Sequence, residues 1–137
     1  MKSRLIVSAI IEYKGKYLLG RKPKDIGPYP NTWHTIGGGV DPEQESIEEG
    51  LRREVREEAG IEITDLRRLT FDEDYTTDKK GQPVHYVFIT YNAKALSNDV
   101  IAGDDIEQLR WFTKSEIKKL DMPKPSQNIL KAGLFFK

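Results

Sequence analysis

Two hydrophobic periods share this chain, one suited to strands and one to helices. Residues 4–13, RLIVSAIIEY, are dense in β-branched and apolar side chains, and Lys14-Gly15-Lys16 turns the chain into a second such run, YLLGRK. DIGPYPN, residues 25–31, is punctuated by Gly and two Pro and reads as a loop. WHTI reads as a short strand that ends in Gly37-Gly38-Gly39. The period then changes. SIEEGLRREVREEA opens with a capping box, Ser46 and Glu49, and carries Ile47, Leu51, Val55 and Ala59 as a narrow apolar stripe. Strand-like patterning returns over residues 66–77 and 84–95, which flank the turn signal DKKGQ and predict a long hairpin. EQLRWF predicts another strand. TKSEIKKL, with its box of Thr113 and Glu116, predicts a short helix, and Pro123 and Pro125 separate it from a last helical segment near residues 126–132. Strands and helices are mixed without a repeat, a long linker or a low-complexity tract. The expectation is one layered α/β domain over residues 1–137.

Within the central helix, LRREVREEAGI poses an electrostatic problem. Glu54, Glu57 and Glu58 share one face, and Glu54 and Glu58 form a like-charged i,i+4 pair of a type that destabilises an isolated helix by roughly 0.2–0.5 kcal/mol. Gly60 marks the helix end, so Glu57 and Glu58 sit in the last turn, where the helix dipole favours cations. A solvated charged face is the plain reading, since 32% of the chain is Asp, Glu, Lys or Arg. Arg53 is spaced to pair with Glu49 and Glu57, and Arg56 to offset part of the repulsion.

Composition narrows the classes of function. Lys plus Arg and Asp plus Glu number 22 each, so nothing marks a nucleic-acid-binding or membrane surface. The chain has no Cys, which excludes disulfides and thiolate chemistry and fits a reducing cytoplasm. No apolar run approaches the roughly 20 residues of a membrane span. The N-terminal MKSRLIVSAIIEYKGK lacks a cleavage site and meets a charged turn at once, as a strand does and a signal peptide does not.

Gly39 to Ile61, GVDPEQESIEEGLRREVREEAGI, resembles the signature of the Nudix hydrolases. That signature is Gly, five residues, Glu, seven residues, then Arg-Glu-apolar-x-Glu-Glu-x-Gly-apolar. Gly39, Glu45, Arg53, Glu54, Val55, Glu57, Glu58, Gly60 and Ile61 match every specified position. A wider likeness, carried mostly by GPYPNTWHTIGGGV and LRREVREE, points toward MutT-like bacterial nucleoside triphosphatases that prefer pyrimidine deoxynucleotides. The resemblance implies an α/β/α sandwich with a mixed β-sheet and a loop-helix-loop. It also implies hydrolysis of a nucleoside triphosphate to a monophosphate and pyrophosphate with Mg²⁺, for which Mn²⁺ can substitute. Glu54, Glu57 and Glu58 would be the metal-facing set, joined by the Gly38 carbonyl, while Arg53 and Glu45 would brace the preceding loop. A departure is Ile36, where the family more often has Pro before the paired Gly.

This chemistry gives the crowded helix a purpose. Mg²⁺ screens phosphate charge, orients the phosphate chain and acidifies bound water, and it takes oxygen ligands. Repulsion that weakens the empty helix becomes attraction for a dication. A further acid from a distant loop often completes such sites in the family, and the matching position before Trp111 is Asp105, with Asp104 and Glu107 as rivals. Either Glu54 or Asp105 is the candidate to deprotonate the water. Arg21 and Lys22 are candidates for phosphate contact, with Gly38 and Gly39 lining the substrate's approach and Tyr75 as a further substrate contact. Arg21 and Lys22 read equally well as surface cations. Tyr29, Trp33, Phe71, Tyr75 and Tyr86 are candidates for base stacking, although core packing explains any one of them better. His34 and His85 have no metal-ligand spacing and receive no role. Rival activities lie within the same superfamily, on dinucleoside polyphosphates, ADP-ribose or sugar nucleotides. Tyr75, near a position where dinucleoside polyphosphate hydrolases keep a Tyr, sustains the first. A non-catalytic nucleotide sensor is the alternative from another class, and it conflicts with the intact motif. The expected partner is a small nucleotide, and the expected state is a monomer or homodimer.

Overall fold

The computed structural model describes residues 1–23, 32–78, 80–103, 105–120, 122, 127, 130 and 131. In chain order its elements are β1 (Lys2–Tyr13), β2 (Lys16–Arg21), β3 (Trp33–His34), β4 (Ile36–Val40), α1 (Ile47–Ala59), β5 (Ile63–Thr77), β6 (Pro83–Ala95), β7 (Gln108–Phe112) and α2 (Lys114–Ile117). Lys14 and Gly15 have φ of 49° and 82°. A two-residue loop with both φ values positive matches the twist of the strands it joins, and it turns β1 back into β2.

All seven strands form one mixed sheet with the order β3-β2-β1-β6-β5, where β4 also pairs with β1 and β7 with β2. β1 lies at its centre. It runs parallel to β6 from Lys2↔Val84 to Glu12↔Lys94 and antiparallel to β4 from Leu5↔Val40 to Ala9↔Ile36. Successive side chains of a strand point to opposite faces, so β1 feeds two cores. Val7, Ala9 and Ile11 join Leu51, Val55 and Ala59 of α1 on one face. Ile10 joins Leu19, Phe112, Ile117, Met122 and Leu130 on the other. Helical residues on both faces produce the expected three-layer arrangement.

Most expected elements are present, and both capping boxes form: Ser46 with Glu49 and Thr113 with Glu116. One differs. The strand expected to end at the glycines instead breaks at Thr35 and continues as β4 through Gly37, Gly38 and Gly39 to Val40. A Cβ on Gly37 would collide with the Val7 carbonyl and the backbone of Ser8. Here glycine permits close strand pairing and does not stop the strand. Of the last helical segment, Gln127, Leu130 and Lys131 are described and helical; all of DIGPYPN, with Tyr29, lies outside the described residues.

Candidate active site

α1 begins at Ser46, whose side chain accepts from the Glu49 N–H, and ends at Gly60, which takes a left-handed φ of 68°. Between these caps the helical period aims Glu54 and Glu58 inward. They are 8% and 3% exposed. β4 meets them from the other side. Gly37 N–H donates to Glu58 Oε1 at 3.1 Å, and any Cβ on Gly38 would occupy the place of the Glu54 carboxylate. Two acid groups thus lie against a glycine strand that has no side chains to separate them from its backbone.

Burial pushes the Glu58 carboxyl up to about 8. The Gly37 N–H and Lys22 act against that rise, while Glu54 and Asp105 add to it. His34 feels Lys22 and Asp105 too, and burial holds its pKa below the usual histidine value. Its Nδ1 is 2.9 Å from the Thr35 carbonyl and therefore donates, and its Nε2 is buried with no hydrogen-bond partner among the described residues. Lys22, His34, Asp105 and Glu58 share one neighbourhood. No spacing in the sequence could place His34 there, because the contact depends on β3 pairing with β2 at Gly20↔His34.

Arg53 binds this arrangement from outside. Its Nε lies 3.1 Å from each Glu45 oxygen, and Nη2 is 2.6 Å from Glu45 Oε1. Nη1 reaches Glu54 at 3.0 Å and Glu57 at 3.1 Å, and Nη2 donates to the Gly39 carbonyl at 3.1 Å. The planar guanidinium suits several acceptors at once. Its hydrogen bonds raise the pKa of Arg53 and hold Glu45 below the ordinary carboxylate value. The expected Arg53–Glu49 pair is replaced, because the Glu49 carboxylate closes the capping box on the Ser46 N–H at 2.9 Å. Arg56 turns away from the acids and pairs with Glu62 at 2.6 Å.

Other candidates divide. Asp105 comes near Glu58, Asp104 lies outside the described residues, and Glu107 uses its N–H on the Arg21 carbonyl at 2.8 Å. Gly39 is open to its surroundings, with nothing near the position a Cβ would take. Tyr75 is not brought to the acids. It pairs across from His85, which pairs with Ser3 of β1, whereas Gly37 pairs with Ser8. Five residues of strand separate those positions, or about 17 Å. Trp33 packs edge-on against Phe112 and Tyr86 stacks on Phe88, while Phe71 is 72% exposed. Gly50 was missed. A Cβ there would press on Val40 and approach Glu45 Oε1 at 3.1 Å, so this glycine lets α1 settle onto the loop that Glu45 anchors.

A mixed sheet between helical layers, with a glycine strand and a glutamate-bearing helix held together by one arginine, is the architecture of a Nudix hydrolase. The NUDIX domain model matches residues 2–132, and the chain belongs to that family. Among its relatives, the nucleoside triphosphatase NudI of Enterobacter sp. (strain 638) is 32% identical over 128 residues, covering 89% of this chain and 90% of that protein. NudI of Escherichia coli O17:K52:H18 is 31% identical with the same coverage. The MutT NUDIX hydrolase from Burkholderia pseudomallei superposes with a TM-score of 0.80 at 25% identity, over 96% of this chain and 98% of that one. Among the described residues no helix is long and apolar enough to cross a membrane.

Proposed function

We propose that this Nudix hydrolase is a Mg²⁺-dependent pyrophosphohydrolase that converts a nucleoside triphosphate, with deoxynucleotides among its substrates, to the monophosphate and pyrophosphate. The observation that carries this reading is the buried pair Glu54 and Glu58 set against the glycine strand. Two carboxylates kept from water within reach of each other repel, and a dication relieves that repulsion. The donor set is all oxygen, from Glu54, Glu58, the more exposed Glu57 and the Gly38 carbonyl, which suits Mg²⁺. Among the described residues no three acidic or histidine side chains converge tightly enough to enclose an ion alone. Water and substrate phosphate oxygens complete the coordination in this reading, as is usual for Mg²⁺. When bound, the ion supplies charge neutralisation and a more acidic water.

The chain's own groups have separate tasks. Arg53 and Glu45 hold the loop and the helix in register. Glu54 or Asp105 takes the proton from the attacking water as its oxygen bonds to phosphorus and a bridging P–O bond breaks. Lys22 and Arg21 offer positive charge to the phosphates. The NudI relatives, which are nucleoside triphosphatases by name, support the triphosphate as substrate. Chromatographic identification of products from a panel of nucleotides with Mg²⁺ tests the proposal. A monophosphate and pyrophosphate are expected. Stepwise release of orthophosphate, or activity confined to ADP-ribose, overturns it.

A further inference from the structure

The segment after β6 is tied to the end of α1 by its backbone. Ile101 N–H donates to the Ala59 carbonyl and Gly103 N–H to the Glu58 carbonyl, each at 3.0 Å. These carbonyls belong to the last turn, which a helix leaves without internal partners. The same segment is anchored at its far end, where Glu107 N–H donates to the Arg21 carbonyl of β2 at 2.8 Å, and Ile106 N–H closes a turn onto the Gly103 carbonyl at 3.0 Å. Asp105 lies between the two anchors. Its position relative to Glu58 is therefore set by how closely residue 103 approaches the helix.

That approach is closer than any side chain allows. A Cβ on Gly103 would run into the Glu57 carbonyl oxygen, a backbone atom that cannot swing aside as a side chain can. Gly60, at the helix end, is not crowded in this way, since a Cβ there would meet Ile101 at an ordinary 3.7 Å. Neither the composition nor the family signature singles out Gly103.

We infer that Gly103 is a positioning residue, whose missing side chain lets residues 101–103 clamp onto the C-terminus of α1 and so holds Asp105 beside Glu58 in the working site. This deepens the proposed function and rests on Asp105 having a part in it. Gly103→Ala inserts one methyl group between the segment and the Glu57 carbonyl and moves the segment outward. Asp105 is carried with it, although no group of the site is deleted.

A double-variant cycle separates positioning from general damage. Gly103→Ala, Asp105→Asn and the combined variant are compared by kcat for nucleotide hydrolysis, and amide hydrogen exchange reports on the segment. Gly103→Ala is expected to lower kcat about tenfold or more, with KM changed less. Exchange at residues 101–107 should quicken while β1 and β6 stay protected. In the Asp105→Asn background the same methyl group should change kcat little, because residues that act through one another are not additive. An equal fold-loss in both backgrounds, or wild-type kcat in Gly103→Ala, overturns the inference. If Asp105→Asn alone is silent, the role given to Asp105 fails, and the inference falls with it while the triphosphatase reading stands or falls on its own product assay. Should Gly103→Ala not fold, Ile101→Pro replaces it in the cycle. That variant removes the N–H that donates to Ala59 without adding bulk at the Glu57 carbonyl, and the same pattern is expected.

Discussion

With 3% of its surface exposed and its carboxyl pushed up to about 8 by burial, Glu58 makes folding depend on pH. Below its ordinary value of 4.5 the group is protonated in both folded and unfolded chains. As pH rises from there toward about 8, the unfolded chain releases a proton that the folded chain retains, so stability falls with rising pH and levels off above that range. In EDTA the wild type should therefore lose melting temperature between pH 5 and 8.5, by roughly 5 °C or more. Glu58→Gln, which keeps the shape and carries no charge, should flatten that slope while abolishing most hydrolysis. Parallel melting curves for the two proteins would contradict the assignment. That Glu54 and Glu58 share a face was legible from the helical period, whereas their burial against β4 was not, because the glycine strand that covers them is distant in sequence. Of the partners of Arg53, Glu57 follows from i,i+4 spacing and Glu45 was implied by the family resemblance, whereas Gly39 depends on the path of a loop.

Elements show the same division. α1 could be bounded to within a residue or two, since Ser46, Glu49 and Gly60 are local signals that act through the helix's own backbone. Gly50 inside it runs against local propensity, because glycine costs a helix interior about 1 kcal/mol relative to alanine. Its contacts with Val40 and Glu45 give the reason. Gly50→Ala should thus fail to deliver the gain that helix propensity offers, and it should lower kcat severalfold by shifting Glu45 beneath Arg53. Thermal melts and kinetics on the same samples check this; a variant more stable by about 1 kcal/mol with unchanged kcat would show that the space can be filled freely. β4 was misread at its glycines for a related reason. Glycine signals a turn when only neighbours in sequence are known, and here the deciding neighbours are Val7 and Ser8, about 30 positions away.

At the scale of the molecule, repulsion among buried acids predicts that a dication stabilises the fold. Mg²⁺ at millimolar concentration should raise the melting temperature of the wild type by several degrees, since a ligand of the folded state alone shifts the equilibrium by mass action. Glu57→Gln should reduce that rise, and equal shifts in the two proteins would remove Glu57 from the ligand set. The layered α/β class was readable from the alternation of periods. The strand order was not, because pairing between distant strands leaves no local mark.

The central place of β1 also bears on how the chain is made. Its parallel partner lies 82 residues further along, as in the contact of Ser8 with Thr90. At a synthesis rate of about 5–20 residues per second, the first strand waits roughly 4–16 seconds for the strand beside it. During that time Ile10 and Ile11 lack the strand beside them, and Phe112, Ile117, Met122 and Leu130, which pack with Ile10, have not yet been translated. The apolar run that organises the finished sheet thus stays open along one edge and on the Ile10 face in the nascent chain. Ribosome-bound chains that stop before β6 should be readily cleaved by protease, and those that extend past β7 should resist.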